Sequence, residues 1–361
     1  MLESILGLVA LFSPLFLVFF IANAAERQRL EGRPYQGTAA VAYIMIVSLY
    51  GLAMLAAMAI WGASVLLTNS PDADALGPAG AIFQNLASGP LLVGGAVVAF
   101  VCSVLVIIRP VRAWFARLLP FDPENPVHTT ALATSFLILV NLAFTLGFGL
   151  GNLTELTSAQ KAAEAAADPN AFQSVFVTTW TQQILMALLA FVGVGWPVRR
   201  TLREALGRLG IVRLTRQDLG VGLLLALVMV PVVTLLGIFS QMTGIGYDPQ
   251  SQSLTEELLG PLLGSPLGIL TLGLAAALGE EPIFRGALQP RFGLLPTALL
   301  FALLHSNYGI SFSTVVVFAL GILLGVVRQR YNTSTAMVTH AAYNSLIGLL
   351  SFVAANLVQG Q

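Results

Sequence analysis

The sequence predicts an all-α, polytopic bundle of about ten membrane-embedded segments, and three observations carry that expectation. Hydrophobic residues fill 57% of the 361 positions and charged residues only 9%, whereas soluble domains are about a quarter charged. Uncharged stretches recur at the length of roughly 20 apolar residues that a bilayer-spanning helix needs. The arginines fall in alternate connections between those stretches, the pattern of the positive-inside rule.

Taken in order, Ser4–Ala24, Gly37–Leu67, Leu91–Ile108, Thr130–Leu150, Val175–Val198 and Leu219–Phe239 each have span length with no internal charge. Four further hydrophobic segments follow, Leu267–Leu278, Leu294–His305, Phe312–Val327 and Thr335–Val358, and the first two of these are short for a full crossing. The first segment ends at Ala22-Asn23-Ala24, which resembles a cleavage site. Its start has no positive charge, and Arg27, Arg29 and Arg33 follow at once, so an uncleaved anchor with an external N-terminus is expected. Arg109, Arg112, Arg117, then Arg199, Arg200, Arg203, Arg208, Arg213, Arg216, and finally Arg285, Arg291, Arg328 and Arg330 all fall on the same, cytoplasmic side if ten segments alternate.

Asn69–Gly89 and Gly151–Phe172 read as external loops, the second with a short interfacial helix around Lys161–Ala167. Val198–Gln217, with Leu202, Leu206 and Leu209 among its arginines, reads as a helix lying on anionic headgroups. That segment divides an N-terminal set of membrane helices, 1–217, from a C-terminal unit, 218–361. The front part is expected to be free of buried ionisable groups. No basic tail exists and the formal charge is zero, which leaves nucleic acid without an electrostatic footprint. Cys102 is the sole cysteine, so disulfides and cysteine-based metal sites are excluded; it reads as a small apolar filler.

Ionisable side chains inside membrane segments are costly and point to function, and here they gather in the last third of the chain. Glu280 and Glu281 stand in Gly279-Glu280-Glu281-Pro282-Ile283-Phe284-Arg285, His305 closes Phe301-Ala302-Leu303-Leu304-His305, and His340 and Asn344 lie four apart in the last segment. Glu281 and Arg285 share one helical face as an ion pair, which leaves Glu280 free to act as a general base on water. Pro282 removes a backbone donor and collides with the carbonyl four residues back, so a kink or restart is expected there. His305 suits a partner for the same water, and His340 with Asn344 suits hydrogen-bond donation to an oxyanion. Plainer readings exist for each: a purely structural ion pair, an interfacial histidine, and helix-packing glue for His340 and Asn344. His128 reads as a boundary residue.

These motifs, Glu280-Glu281-x-x-x-Arg285, Phe301-x-x-x-His305 and His340-x-x-x-Asn344, resemble in order and spacing those of the CPBP superfamily, which holds type II CAAX prenyl endopeptidases and bacteriocin-processing and bacteriocin-immunity proteins. The resemblance spans roughly 218–353. It implies an intramembrane endopeptidase with Glu280 as catalytic glutamate, His305 its partner in activating water, His340 and Asn344 at the oxyanion, and Glu281 and Arg285 in support. It also implies a peptide or protein substrate, membrane-anchored in the prenylated case, within the lipid bilayer.

No His-Glu-x-x-His is present, no Gly-x-Ser-Gly supports a serine nucleophile, and Gly244-Ile245-Gly246-Tyr247-Asp248 breaks the Gly-x-Gly-Asp pattern of membrane aspartyl proteases. Two carboxylates and two histidines could hold zinc, but Arg285 beside them opposes a cation, and a metal-free glutamate mechanism without cofactor is favoured. Competing classes are a non-enzymatic immunity or scaffold protein and a proton-coupled transporter; the latter is disfavoured by the lack of an internal repeat. A single lysine, Lys161, beside sixteen arginines, together with compact loops, suggests a bacterial inner membrane. One geometric tension stands out. Strict alternation puts Glu280 near one face and His305 near the other, so Leu294–His305 is expected to be a half-penetrating segment ending at mid-depth in a polar cavity.

Overall fold

The computed structural model describes residues 2–67, 86–167 and 171–359, and among these every regular element is helical. Among the described residues nine helices are long and apolar enough to cross a membrane, with one shorter apolar helix, Leu294–Leu304. The count of ten segments and the all-α class follow the sequence expectation. In chain order the helices are α1 (Leu2–Leu30), α2 (Gln36–Leu67), α3 (Gly89–Ile107), α4 (Arg109–Phe115), α5 (Pro126–Ser135), α6 (Leu137–Phe148), α7 (Leu150–Ala167) and α8 (Ala171–Val194). There follow α9 (Leu202–Leu209), α10 (Arg216–Thr243), α11 (Pro249–Leu263), α12 (Pro266–Glu281), a π-helix (Pro282–Leu288), α13 (Gln289–Phe292), α14 (Leu294–Leu304), a 3₁₀ turn (Ser306–Tyr308), α15 (Phe312–Arg330) and α16 (Thr333–Gln359).

The continuous span Pro266–Phe292 has 61% of its most apolar stretch buried, against 17% to 33% for the other long spans, which makes it the central helix. It packs on α8 along one side and α16 along the other. Glycines set both distances. A Cβ on Gly279 would meet the Gln183 side chain at 2.0 Å and its carbonyl oxygen at 2.8 Å, and a Cβ on Gly273 would meet the Ala341 carbonyl oxygen at 2.4 Å. Such close backbone approach is how membrane helices gain packing without a hydrophobic drive between them.

The arginine-bearing connections meet at one end of the bundle. Arg29 bonds Asp122 at 3.0 Å, Arg199 bonds Asn23 at 2.6 Å, Arg208 donates to the Gly286 carbonyl at 3.0 Å, and Thr333 donates its backbone N–H to Gly210 at 3.0 Å. Asp218 anchors α10 there through a capping box with Thr215, and it accepts from Asn332 (2.9 Å) and Thr335 (2.6 Å) at the start of α16. That clamp fixes the depth of α16 and therefore of His340 and Asn344.

Several expectations need correction. At Pro282 the α-helix gives way to a π-helix within one continuous span, and at its end the Gln289 N–H reaches the Phe284 carbonyl five residues back. Glu280 therefore sits at the middle of a 27-residue span rather than near its end. The front part is not free of buried ionisable groups, because Glu26 is only 3% exposed, held by Arg29 and Asn125. In the segment after Val198, α9 leaves Leu202 exposed and turns Ala205 and Leu209 into the protein. The loop expected at Asn69–Gly89 lies, up to residue 85, outside the described residues. The one expected at Gly151–Phe172 is a helix from Leu150 to Ala167, longer than the short helix anticipated there.

Candidate active site

α14 is only 11 residues long, about 16 Å at 1.5 Å per residue. That is too short to cross a bilayer core of about 30 Å. His305 caps it, and the 3₁₀ turn that follows carries irregular backbone at a depth tolerated only when protein or a polar cavity surrounds it. A short apolar helix thus stands where the sequence predicts one, and His305 at its end lines the same cavity as Glu280.

A cavity of about 830 Å³ receives Glu280, His305, His340 and Asn344 together, along with Gln183, Tyr308 and Tyr343. Glu280 is 8% exposed; its Oε1 lies 3.4 Å from Gln183 Nε2, and its Oε2 has no partner among the described residues. The His305 Nδ1 lies 2.9 Å from the Phe301 carbonyl. A carbonyl only accepts, so Nδ1 donates in this contact and Nε2 is the nitrogen left free of it. Tyr308 stacks parallel on the His305 ring at 5.9 Å, and Phe301 packs against it at 4.9 Å, which fixes its plane.

Glu281 points away from Glu280's role. It is fully buried, its Oε1 accepting from His340 Nδ1 at 2.8 Å and its Oε2 lying 3.3 Å from Arg285 Nε. Arg285, 1% exposed, also donates to the Gly321 carbonyl of α15 at 3.4 Å and rests on the Phe301 ring at 4.3 Å. The Glu281–Arg285 pair expected from four-residue spacing is therefore present, at mid-span instead of at a helix end. His340 joins it as a third member, which the sequence reading did not anticipate; its engaged Nδ1 leaves Nε2 for the cavity. Asn344 donates to the Leu272 carbonyl of α12 at 3.4 Å, a helix–helix contact, while lining the same cavity.

Among the described residues no three His, Cys, Asp or Glu side chains gather closely enough to hold a metal ion. His128 accepts at Nδ1 from the Asp122 backbone N–H at 3.1 Å and so organises the 122–125 turn. Cys102 is a free thiol on α3.

Sequence reasoning missed Gln183, Asn307 and Tyr308. Gln183 comes from α8, in the front part of the chain, and it lines both this cavity and a second one of about 830 Å³ that also reaches Glu280, His305 and Asn307. The available signal was a Gln182-Gln183 pair inside an otherwise apolar span.

Residues 262–346 match the family described as Type II CAAX prenyl endopeptidase Rce1-like. No curated protein and no solved structure matches the chain. The matched stretch begins at the end of α11 and closes just past Asn344, so it contains Glu280, Glu281, Arg285, His305, His340 and Asn344. Residues 262–346 are thus similar to the Rce1-like family, in agreement with the CPBP resemblance, within a multi-pass integral membrane protein, and that similarity points to a membrane peptidase.

Proposed function

We propose that this protein is an intramembrane endopeptidase in which Glu280 and His305 activate water without a metal. The observation that carries the reading is the partition of the two adjacent glutamates. Glu281 has Oε1 hydrogen-bonded to His340 and Oε2 in a 3.3 Å ion pair with Arg285, while Glu280 faces the cavity with no ion-pair partner among the described residues. A carboxylate so placed takes a proton from water as the hydroxyl adds to the peptide carbonyl, and returns it to the leaving amine. His305, through its free Nε2, shares that water. His340 donates from Nε2 as an imidazolium whose charge Glu281 balances, and Asn344 donates beside it, so that both meet the oxyanion. Arg285 keeps Glu281 ionised in place and opposes a cation.

The substrate in this reading is a peptide or a membrane-anchored protein segment that reaches mid-depth. Residues 218–361 form the catalytic part, 1–217 wall it on the α8 side, and the arginine end faces the cytoplasm of a bacterial inner membrane. The test compares newly formed peptide termini in a deletion strain complemented with wild type or with His305→Ala, and assays purified protein on a prenylated reporter peptide with and without strong chelators. Termini that depend on His305 and activity that survives chelation are expected. Stoichiometric zinc, with chelation abolishing activity and zinc restoring it, would overturn the metal-free mechanism. Identical termini in all strains would favour a non-enzymatic scaffold.

A further inference from the structure

The second cavity has a chemistry that peptide hydrolysis at Glu280 does not use. Four arginines, Arg199, Arg200, Arg208 and Arg291, line its end at the arginine-bearing face. None has a carboxylate at ion-pair distance among the described residues. Their protein contacts are neutral: Arg199 bonds the Asn23 amide oxygen, Arg200 the Val194 carbonyl, Arg208 the Gly286 carbonyl, and Arg291 Nε is buried without a partner. The acids nearby are committed elsewhere. Glu26, on the same cavity wall, is held by Arg29 and Asn125, and Glu204 closes its own helix cap with Thr201. Burial and the neighbouring arginines pull Arg199 and Arg208 each down to about 10, with Glu26 opposing the shift at Arg199 without cancelling it.

The rest of the cavity is apolar and long. It follows α1 from Leu8 and Leu11 past Phe12 and Phe19 to Leu30. From Leu11 to Leu30 that is about 28 Å at 1.5 Å per residue, nearly the full hydrocarbon thickness of about 30 Å. Leu11 is 69% exposed, so the groove opens sideways onto the lipid-facing surface. A cationic end below an apolar, laterally open channel is complementary to one class of molecule.

We propose that this cavity is a binding site for an anionic lipid, the phosphate-bearing headgroup held by Arg199, Arg200, Arg208 and Arg291 and an acyl chain laid along α1. Arginine forks suit phosphate oxygens in bidentate geometry, and basic pockets between membrane helices at one face are the recurring form of such recognition. The inference rests on the arginine cavity alone and holds whether or not Glu280 hydrolyses peptides.

The test uses the full-length protein purified in detergent and exchanged into zwitterionic phosphatidylcholine. Phosphatidylglycerol, phosphatidylcholine and soluble glycerophosphate are then titrated, with bound lipid counted by native mass spectrometry and unfolding followed thermally. Phosphatidylglycerol is expected to remain bound and to raise the unfolding midpoint, phosphatidylcholine to do neither, and glycerophosphate, which lacks the chain, to bind at least tenfold more weakly. Arg208→Gln with Arg291→Gln should lower phosphatidylglycerol affinity at least tenfold; a control pair on the outer surface, Arg213→Gln with Arg216→Gln, should not. Leu11→Trp, which narrows the channel while retaining the arginines, keeps the inference open to refutation should the double variant fold poorly: it should lower lipid retention. Equal binding of both lipids, or undiminished binding in the double variant and in Leu11→Trp, would overturn the site. So would loss of cleavage of free-acid but not amidated reporter peptides in the double variant with lipid binding intact, which would make the arginines readers of a substrate carboxylate.

Discussion

Two ion clusters occupy different levels of the same bundle. At mid-span, Glu281, Arg285 and His340 are 0%, 1% and 7% exposed at their side chains; Arg285 reaches Glu281 from four residues on, and His340 joins them from a helix distant in sequence. At the arginine end, Arg109 and Glu124 meet at 2.8 Å while 73% and 38% exposed, and Arg27 and Glu31 meet at 2.9 Å while 60% and 38% exposed. Distances barely differ; the surroundings do. An exposed pair exchanges water for a partner at little net gain. A buried pair has no water to return to, so removing one member strands the other. The central cluster therefore governs whether the site exists, and the peripheral pairs tune the surface.

The largest effect that would break this contrast is Arg285→Ala. It leaves Glu281 buried with its Oε2 uncompensated and removes the guanidinium from Phe301 and Gly321. A loss of about 3–5 kcal/mol is expected, seen as a lowered unfolding midpoint in detergent together with lost activity. Full stability with activity lost would instead place Arg285 in contact with substrate.

A smaller effect separates centre from periphery through glycine. Gly279→Ala forces a methyl to within 2.8 Å of the Gln183 backbone oxygen, and α8 must move. Overpacking of this kind costs about 1–3 kcal/mol. Gly94→Ala on α3 has nothing within 4 Å of the new methyl. It should gain about 0.5–1 kcal/mol by removing a flexible residue from a helix interior. Thermal unfolding of the two variants side by side would sharpen the comparison, and equal shifts would remove it.

The smallest effect is expected at the rim. Glu124→Gln should change stability by less than about 1 kcal/mol, and the difference from wild type should vanish in high salt, where the Debye length falls to about 3 Å at 1 M. A larger, salt-independent loss would show that the Arg109–Glu124 pair is structural.

How much of this was legible in the sequence follows the same division. Helix count and type were readable because a bilayer imposes length and apolarity on each span independently. Glu280, His305, His340 and Asn344 stood out because polar groups are rare in such segments, and the ion pair of Glu281 and Arg285 is a local, four-residue relation. The rest depended on crossings between helices. That His340 takes Glu281 as its partner follows from α12 and α16 touching at Gly273. That Gln183 reaches Glu280 follows from α8 touching at Gly279, where a backbone without Cβ leaves no polar signal. The burial of Glu26 was hidden because it lies among arginines at a helix end that reads as exposed. The π-helix that begins at Pro282 was not legible, because the apolar residues around a proline do not show how a helix accommodates it.

The central claim is that Glu280, and not its buried neighbour, carries the chemistry. Glu280→Gln keeps the shape of the side chain and its contact with Gln183 while removing the base. Turnover of a prenylated reporter peptide by the purified, reconstituted variant should fall at least about a hundredfold, within the 10²–10⁴ range for loss of a general base, while its thermal unfolding midpoint stays with that of wild type. Wild-type turnover in Glu280→Gln, with the same midpoint, would contradict the account.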